Sequence, residues 1–596
     1  MKNTTIQKPW FKALLPGLLA LLIASILVLA AVPPVSRDAL THHLALPKLY
    51  LQYGGLIEIP EIEFSYYPMN LDLLYMLPLY FGNDILPKYI HFIFGLLTAW
   101  LIYAYLRNRT GQNGYGLLGA LLFLSLPVII KLSFTVYVDL GLVFFSTAAL
   151  LSQLKWAASG FKLRYLLIGA FACGLALGTK YNGLVTFFLL VCFTPILYLR
   201  GQSYTVASDK RQTAKGGLRI GSEAITSVRA LGMTFLFAGV ALLVFSPWML
   251  RNYHWTGNPI YPLYKGVFKS SEQTASNQST LENAHVADAE KTESASPTSH
   301  FVIRRIVFQE TFFETMLIPI RVFFQGQDDN PRLFDGCLNP YLFFLPLTAF
   351  IGIRQRERRY RIEDSLFMIF SILFLLYSFF SAVMRIRYIA PIIPPLVILT
   401  VIGLEWLIST IRQMPRRNHK VLAMILVIGS VCFLLTLNGN YLLKQFEIVR
   451  PFDYISGRFD RDTYITRHRG EYPAIQFINA NLPIDAQVLA VFLGNRIYYS
   501  DRRMFCKDAL FKKSIVAAES ADALAESLQV HGFSHLLIRS GLFKQYVLDY
   551  LSNEQRMIFS RFLKSRTQKL FAERGYCVYA ITDVKAGPIA QNKTIQ

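Results

Sequence analysis

Residues 13–32 read ALLPGLLALLIASILVLAAV, with Ser25 as the one side chain able to hydrogen bond. Twenty apolar residues in a helix rise about 30 Å, the thickness of a bilayer's hydrocarbon core. Lys2, Lys8 and Lys12 precede the run. No small-residue cleavage site followed by a polar mature start is evident, so the run reads as a retained first span. Ten further apolar segments follow, at about 89–106, 117–130, 138–154, 165–179, 183–199, 231–248, 339–353, 366–383, 389–411 and 421–438. Roughly eleven spans make the chain an α-helical multi-pass membrane protein.

The composition agrees. Of 596 residues, 53% are hydrophobic and 16% charged, with a formal net charge of +22. A disordered chain would be poorer in apolar residues. A nucleic-acid binder could be this basic but has no use for apolar runs of this length. With the N-terminus placed in the cytoplasm, the inner segments are 1–12, 107–116, 155–164, 200–230, 354–365 and 412–420. They carry 23 Lys and Arg against five acids, a net of +18. The expected outer segments 33–88 and 249–338 are net acidic. Most of the basicity is therefore topology, following the excess of basic residues on the cytoplasmic side.

Three pieces are expected outside. The first loop, 33–88, has apolar stretches at 39–51 and 71–81, too short to span, which read as interfacial helices. The second, 249–338, has a Ser-, Thr- and Glu-rich middle at 270–300 that reads as a flexible loop. The third begins at about residue 439. There QVLAVFL (487–493), FSHLLIRS (533–540) and YCVYAIT (576–582) read as strands, and 517–531 and 541–560 as helices. Strands alternating with helices predict a small α/β domain. The expected division is 1–438 for the transmembrane domain and 439–596 for the exported one. Of six cysteines, Cys173, Cys192 and Cys432 fall in spans, and Cys506 and Cys577 could form a disulfide. No nucleotide-binding glycine loop, HExxH or GxSxG is present.

The informative residues are charges at the expected outer boundary, where topology does not ask for them. Asp38 lies in PPVSRDALTHHLALPKLY, Asp139 in KLSFTVYVDLGLVFF, Lys180 in GLALGTKYNGL, Arg251 in SPWMLRNYHWTGNPIYPLY, and Arg385 and Arg387 in SAVMRIRYIAPIIPP. Charges at a membrane edge within a helical bundle are functional candidates. Each also has a plain reading. Asp38 and Asp139 could cap helices. Lys180 and Arg251 could snorkel to lipid headgroups. One of the paired arginines could balance Asp38 or Asp139. His42 and His43 are adjacent, so at most one faces any given site, and Glu61 and Glu63 read as solvated. Together, however, the set offers carboxylates able to act as a general base and cations able to hold a phosphate.

These segments resemble the GT-C superfamily of integral-membrane glycosyltransferases. Their nearest branch is similar to the protein mannosyltransferase and lipid A aminoarabinose transferase type, which uses polyprenyl-phosphate sugars. The resemblance rests on the Asp in SRDALTHHLALPKLY, on GTKYNGL, on RNYHWTGNPIYP and on RIRYIAPIIPP. It implies a polyprenyl-phosphate-linked sugar donor and a lipid, glycan or protein acceptor, with no nucleic-acid partner. Asp38 matches the first-loop acidic position, the expected catalytic base, and Asp139 a second acidic position. Lys180, Arg251, Arg385 and Arg387 become candidates for the donor phosphate, and His42 or His43 for acceptor or metal contacts. Many relatives carry two adjacent first-loop acids, whereas Ala39 follows Asp38 here. That departure weighs against a two-carboxylate metal site in the first loop; a divalent metal is possible through His42 or His43 with Asp139, and no cofactor is required by the sequence. The expected setting is a bacterial-type plasma membrane, with the C-terminus outside. A transporter or flippase of lipid-linked sugars, or a non-catalytic envelope-assembly protein, is the alternative. The first would want midplane charges and repeated halves, and the sequence has neither.

Overall fold

A computed structural model describes residues 9–209, 220–266, 268, 297–381 and 383–582. The expected loop at 270–300 falls outside them up to residue 296, and its last residues open a helix, Pro297–Ile306. The chain forms two compact units. One comprises Met1–Ala31, Tyr66–Leu74 and Leu86–Pro451, the other Val32–Ser65, Tyr75–Ile85 and Phe452–Gln596.

The first unit is helical. Among the described residues, eight helices are long and apolar enough to cross a membrane: Ala13–Ala30, Leu86–Thr110, Asp139–Ala158, Gly183–Gly201, Thr226–Thr256, Arg358–Ser381, Ile386–Arg412 and Arg417–Val449. Three other expected spans take different forms. The 117–130 segment becomes two helices, Asn113–Leu124 and Pro127–Ser133, bent by 71°. The break sits at Leu126, extended as a residue before proline must be. Leu163–Leu177 is a shorter apolar helix. The 339–353 segment keeps only Tyr341–Thr348, with Pro340 before it and a left-handed Gly352 after it. Eight residues rise about 12 Å, too little to cross.

Helix Leu86–Thr110 carries polar groups at both ends. Near its C-terminus, Arg109 pairs with the buried Asp364 at 2.6 Å, and Arg356 reaches the same carboxylate at 2.7 Å. Tyr105 donates to Glu363 at 2.6 Å. Two of the five acids counted in the expected inner segments thus join helix Leu86–Thr110 to helix Arg358–Ser381. About 27 Å along the same helix, at 1.5 Å per residue, lies His91.

The second unit is a five-stranded sheet with helices. Its strands are β1 (Gln487–Val491), β2 (Arg503–Phe505), β3 (His535–Arg539), β4 (Thr567–Glu573) and β5 (Tyr576–Ile581), in the order β2-β1-β3-β5-β4. β2, β1 and β3 run parallel, while β5 is antiparallel to both β3 and β4. The three expected strands are β1, β3 and β5. The expected helix at 541–560 is two, Ser540–Tyr550 and Asn553–Ser565, divided where Ser552 and Gln555 form a capping box. The sheet order also separates the two cysteines of this unit. β1 and β3 lie between β5, which carries Cys577, and β2, which Cys506 follows. Three interstrand steps span about 14 Å, beyond the reach of a disulfide, and both thiols are free.

The first loop, grouped with the spans by sequence, falls largely in this second unit, over 32–65 and 75–85, while 66–74 belongs to the first. Its apolar stretches form the helices Ala45–Tyr53 and Asn70–Tyr80, with a π-helical turn at Ala39–His43. Tyr499 donates to the Pro34 carbonyl at 2.7 Å, the Tyr498 amide to Leu40 at 3.1 Å, and Arg469 to Val35. Lys48 reaches the Tyr498 and Ser500 carbonyls at 3.0 Å each and Asp501 at 2.8 Å. Buried Asp84 accepts from both Arg461 and Tyr498.

Candidate active site

In the first unit, charges at one end of the bundle meet around Asp139. This residue is the first of its helix, and its side chain is fully buried. Lys180 donates to it at 2.8 Å, with 19% of the lysine side chain exposed. Lys180 therefore does not snorkel to lipid. It stands in the short turn between Leu163–Leu177 and Gly183–Asp209. A Cβ on Gly178 would come within 2.3 Å of the Asn70 side chain, so a larger residue there would displace Asn70. The Gly178 carbonyl accepts the Asn70 amide at 2.8 Å.

Arg385 and Arg387 do not diverge as helical neighbours would. Arg385 is extended, and the following 3₁₀ turn, Ile386–Ile392, brings both over one ring. Tyr388 has Lys180 at 5.1 Å, Arg387 at 5.4 Å and Arg385 at 5.8 Å from its centroid. These are cation–π distances. Arg387 is 8% exposed, faces Tyr137 at 5.1 Å, and lies within electrostatic reach of Asp139. Arg385 approaches Asp335 at 4.0 Å. One arginine thus balances Asp139, as the sequence allowed.

Arg251 is held differently. Its guanidinium lies between the Trp248 and Trp255 rings, at 4.6 and 4.8 Å, and donates to the Tyr67 carbonyl at 3.1 Å. Neighbouring Asn252 donates to Tyr66 at 2.8 Å and to the Tyr181 hydroxyl at 3.1 Å. Trp248 donates to Asn70 at 2.8 Å. The turn carrying Lys180 and the helix end carrying Arg251 are therefore joined through Asn70 and Tyr181.

His91 supports the same corner. Its Nε2 accepts the Leu140 amide at 2.9 Å, so this nitrogen carries no proton. Nδ1 then bears the hydrogen and faces the Leu132 and Thr135 carbonyls at 3.0 and 3.1 Å. The neutral ring fixes the backbone next to Asp139. Sequence reading passed over His91, although a histidine in an apolar helix is itself a signal. It also passed over Tyr388 and Asn252, which stand beside Arg387 and Arg251 in the quoted motifs.

In the second unit, Asp38 precedes the turn Ala39–His43. Its backbone is helical and its side chain makes no capping hydrogen bond. The capping reading is therefore not what places it. The backbone around it is held by Arg469, Tyr499 and Tyr498, as above. His42 stacks on Phe64 with centroids 4.2 Å apart, and His43 is buried. Glu61 lies 3.6 Å from Lys507 in a half-exposed pair, and Glu63 opens a 3₁₀ turn. Among the described residues, no three His, Cys, Asp or Glu side chains are grouped to hold a metal ion.

Comparison with known proteins points one way. Residues 60–256 match the family model for dolichyl-phosphate-mannose-protein mannosyltransferase. That range includes Asp139, Lys180 and Arg251, while Asp38, Arg385 and Arg387 lie outside it. No curated protein matches the sequence significantly. The structure is similar to ArnT from Cupriavidus metallidurans bound to undecaprenyl phosphate, at 14% identity and a TM-score of 0.50, covering 96% of this chain and 98% of that one. Against the apo state of the same protein, the identity is again 14% and the TM-score 0.53, over 95% and 98% of the two chains. It is also similar to an Archaeoglobus fulgidus oligosaccharyltransferase tethered to an acceptor peptide, at 10% identity and a TM-score of 0.51, over 97% of this chain and 75% of that one. The chain is a multi-pass membrane protein that resembles the GT-C glycosyltransferases along nearly its whole length.

Proposed function

Proceeding from the GT-C likeness, we propose that the protein transfers a sugar from a polyprenyl-phosphate donor to an acceptor at the outer face of a bacterial-type plasma membrane. The observation that carries the proposal is the gathering of Lys180, Arg385 and Arg387 around Tyr388, beside buried Asp139. Cations held in place by neighbouring groups suit a phosphate whose charge grows during reaction.

In this reading Asp38 takes the proton from an acceptor hydroxyl or amine. The acceptor attacks the anomeric carbon, and the bond from that carbon to the phosphate oxygen breaks with inversion. The electron pair leaves on the polyprenyl phosphate. Lys180, Arg385 and Arg387 bind that phosphate, and Arg251 assists from its tryptophan cradle. Asp139 is a positioning residue here, because its carboxylate is engaged with Lys180. The acceptor is a lipid, glycan or protein.

The decisive assay uses the purified full chain in lipid nanodiscs with a radiolabelled polyprenyl-phosphate hexose. Transfer should fall by about 10²–10⁴ in Asp38→Asn, with donor binding retained. Normal transfer by that variant would end the base assignment. An accumulated polyprenyl-phosphate sugar in lipid extracts of a deletion strain would identify the donor.

A further inference from the structure

The second unit carries a groove to which the reaction above gives no role. It has a volume of about 470 Å³ and is lined by Phe459, Asp462, Thr463, Thr466, Arg467 and Arg574. That volume suits a small ligand.

Four of the six come from helix Arg461–His468. Positions 462, 463, 466 and 467 form a single stripe at helical spacing, while Tyr464 and Ile465 face the interior. Asp460 starts the helix by accepting the Thr463 amide at 2.7 Å. Arg574 comes from the turn joining β4 to β5. There Arg574 and Gly575 both have left-handed backbones, with φ of 49° and 81°. Its guanidinium reaches the Thr466 carbonyl at 3.4 Å.

The bonding capacity of this stripe is largely unspent. Among the described residues, the Thr463 and Thr466 hydroxyls and the Arg467 guanidinium have no hydrogen-bond or ion-pair partner. Arg467 meets only the Phe459 ring, at 5.7 Å. One Asp462 oxygen accepts from Tyr472 at 2.8 Å, which leaves the other. Arg574 lies 3.5 Å from Glu573, which offsets part of its charge. Arg467 is thus the principal anion contact.

Hydroxyls and a carboxylate beside an aromatic ring match the two faces of a pyranose. Sugar hydroxyls need paired donors and acceptors, and the apolar C–H face of the ring packs on an aromatic surface. The guanidinium adds a site for an oxyanion. We propose that this groove binds an anionic saccharide, a sugar bearing a phosphate or carboxylate, as part of the acceptor. The proposal rests on the transferase reading for its purpose but not for its chemistry.

The test titrates the full chain in nanodiscs with glucose 6-phosphate, with glucose, and with inorganic phosphate, by calorimetry. Glucose 6-phosphate should bind at least about tenfold more tightly than either fragment, and Arg467→Gln should weaken it by about tenfold, the scale of one charge-assisted contact. Thr466→Val should weaken glucose 6-phosphate binding while leaving inorganic phosphate unaffected. Absence of glucose 6-phosphate binding overturns the proposal. So does equal binding by Arg467→Gln protein, and inorganic phosphate binding as tightly as the sugar phosphate would reduce the groove to an anion patch. Arg467 is exposed, and an unchanged melting profile will show that the variant folds. Binding of a radiolabelled polyprenyl-phosphate hexose separates the two readings. If the donor does not bind while the groove still binds, the transferase reading fails alone. If the donor binds and the groove does not, the groove proposal fails alone.

Discussion

Asp139→Asn is the sharpest probe of the cationic corner. The pair it breaks is 2.8 Å long, with the carboxylate fully buried and the ammonium 19% exposed. Two unit charges at about 4 Å interact by about 4 kcal/mol at an effective dielectric near 20. Removing one partner of a buried pair costs about 3–5 kcal/mol, because the other charge is left uncompensated. The partial exposure of Lys180 sets the expected loss at about 3 kcal/mol, the low end of that range. The two single variants should not be equal. Asp139→Asn leaves Lys180 facing Arg387 with nothing between their charges. Lys180→Met leaves Asp139 with Arg387 still in reach. Asp139→Asn should therefore be the more destabilising. The double variant should be no worse than Asp139→Asn alone, with a coupling of about 2 kcal/mol. A chain of this size and organisation will not unfold in one step, so the readout is the ordering of thermal midpoints in detergent. Strict additivity, or the reverse order, would refute the pairing argument. A variant with normal midpoint and donor binding but no transfer would assign Asp139 to the chemical step rather than to stability or donor binding.

Other predictions follow from neighbouring contacts. Lys180→Ala should raise the apparent KM for donor in steady-state transfer; an unchanged KM would remove Lys180 from the phosphate site. His91→Gln should lower kcat more than it raises KM, because the loss is in the alignment of the corner; a change in KM alone would assign His91 to donor binding. Tyr499→Phe together with Arg469→Ala should speed hydrogen exchange across residues 34–40 and lower kcat while donor binding holds, as mass spectrometry and kinetics can check. His535 on β3 has its pKa lowered by burial from the usual 6.5. The unfolded chain therefore binds this proton first. Stability is full above about pH 6.5 and falls as pH drops through the window below it. His535→Gln should flatten that acid slope in thermal melts, and an unchanged slope would exclude the residue as its source.

The eight long spans were legible because twenty apolar residues in a row admit few alternatives. Failure came where length and hydropathy alone decided. Pro127 broke one span, and Pro340 with Gly352 confined another to eight residues, although both signals stood in the sequence. The edge strand β4, TQKLFAE, was missed because its burial is slight and its polar residues do not alternate cleanly. Among the candidate residues, individual charges were singled out by their departure from the expected topology rule. Their partners were not, because Asp139 and Lys180 stand 41 residues apart and no periodicity connects them. The attachment of the first loop to the C-terminal unit was equally hidden. It is made largely through backbone carbonyls at Pro34, Val35 and Leu40, which no side-chain pattern reports.

The charge balance of the corner bears on why it would favour a transition state over a bound donor. Lys180, Arg251, Arg385 and Arg387 bring four positive charges, and Asp139 and Asp335 remove two. A polyprenyl-phosphate sugar is a phosphodiester and carries one negative charge. The polyprenyl phosphate that leaves is a monoester and acquires a second. A corner left at +2 is under-neutralised by the donor and matched by the leaving group, so its attraction grows as the glycosidic bond breaks. Interactions that strengthen along the reaction raise kcat, whereas equal binding of ground and transition states does not. On the proposed transferase reading the two acids take part in the mechanism, because without them the corner would hold donor and product more tightly and discriminate between them less. Asp335→Asn offers the check. Its partner Arg385 is 4.0 Å away and only partly buried, so folding should be spared. Donor KM and the inhibition constant for polyprenyl phosphate should both fall, and kcat should fall with them as product release slows. A rise in kcat with unchanged product inhibition would show that the balance of the corner does not govern the step.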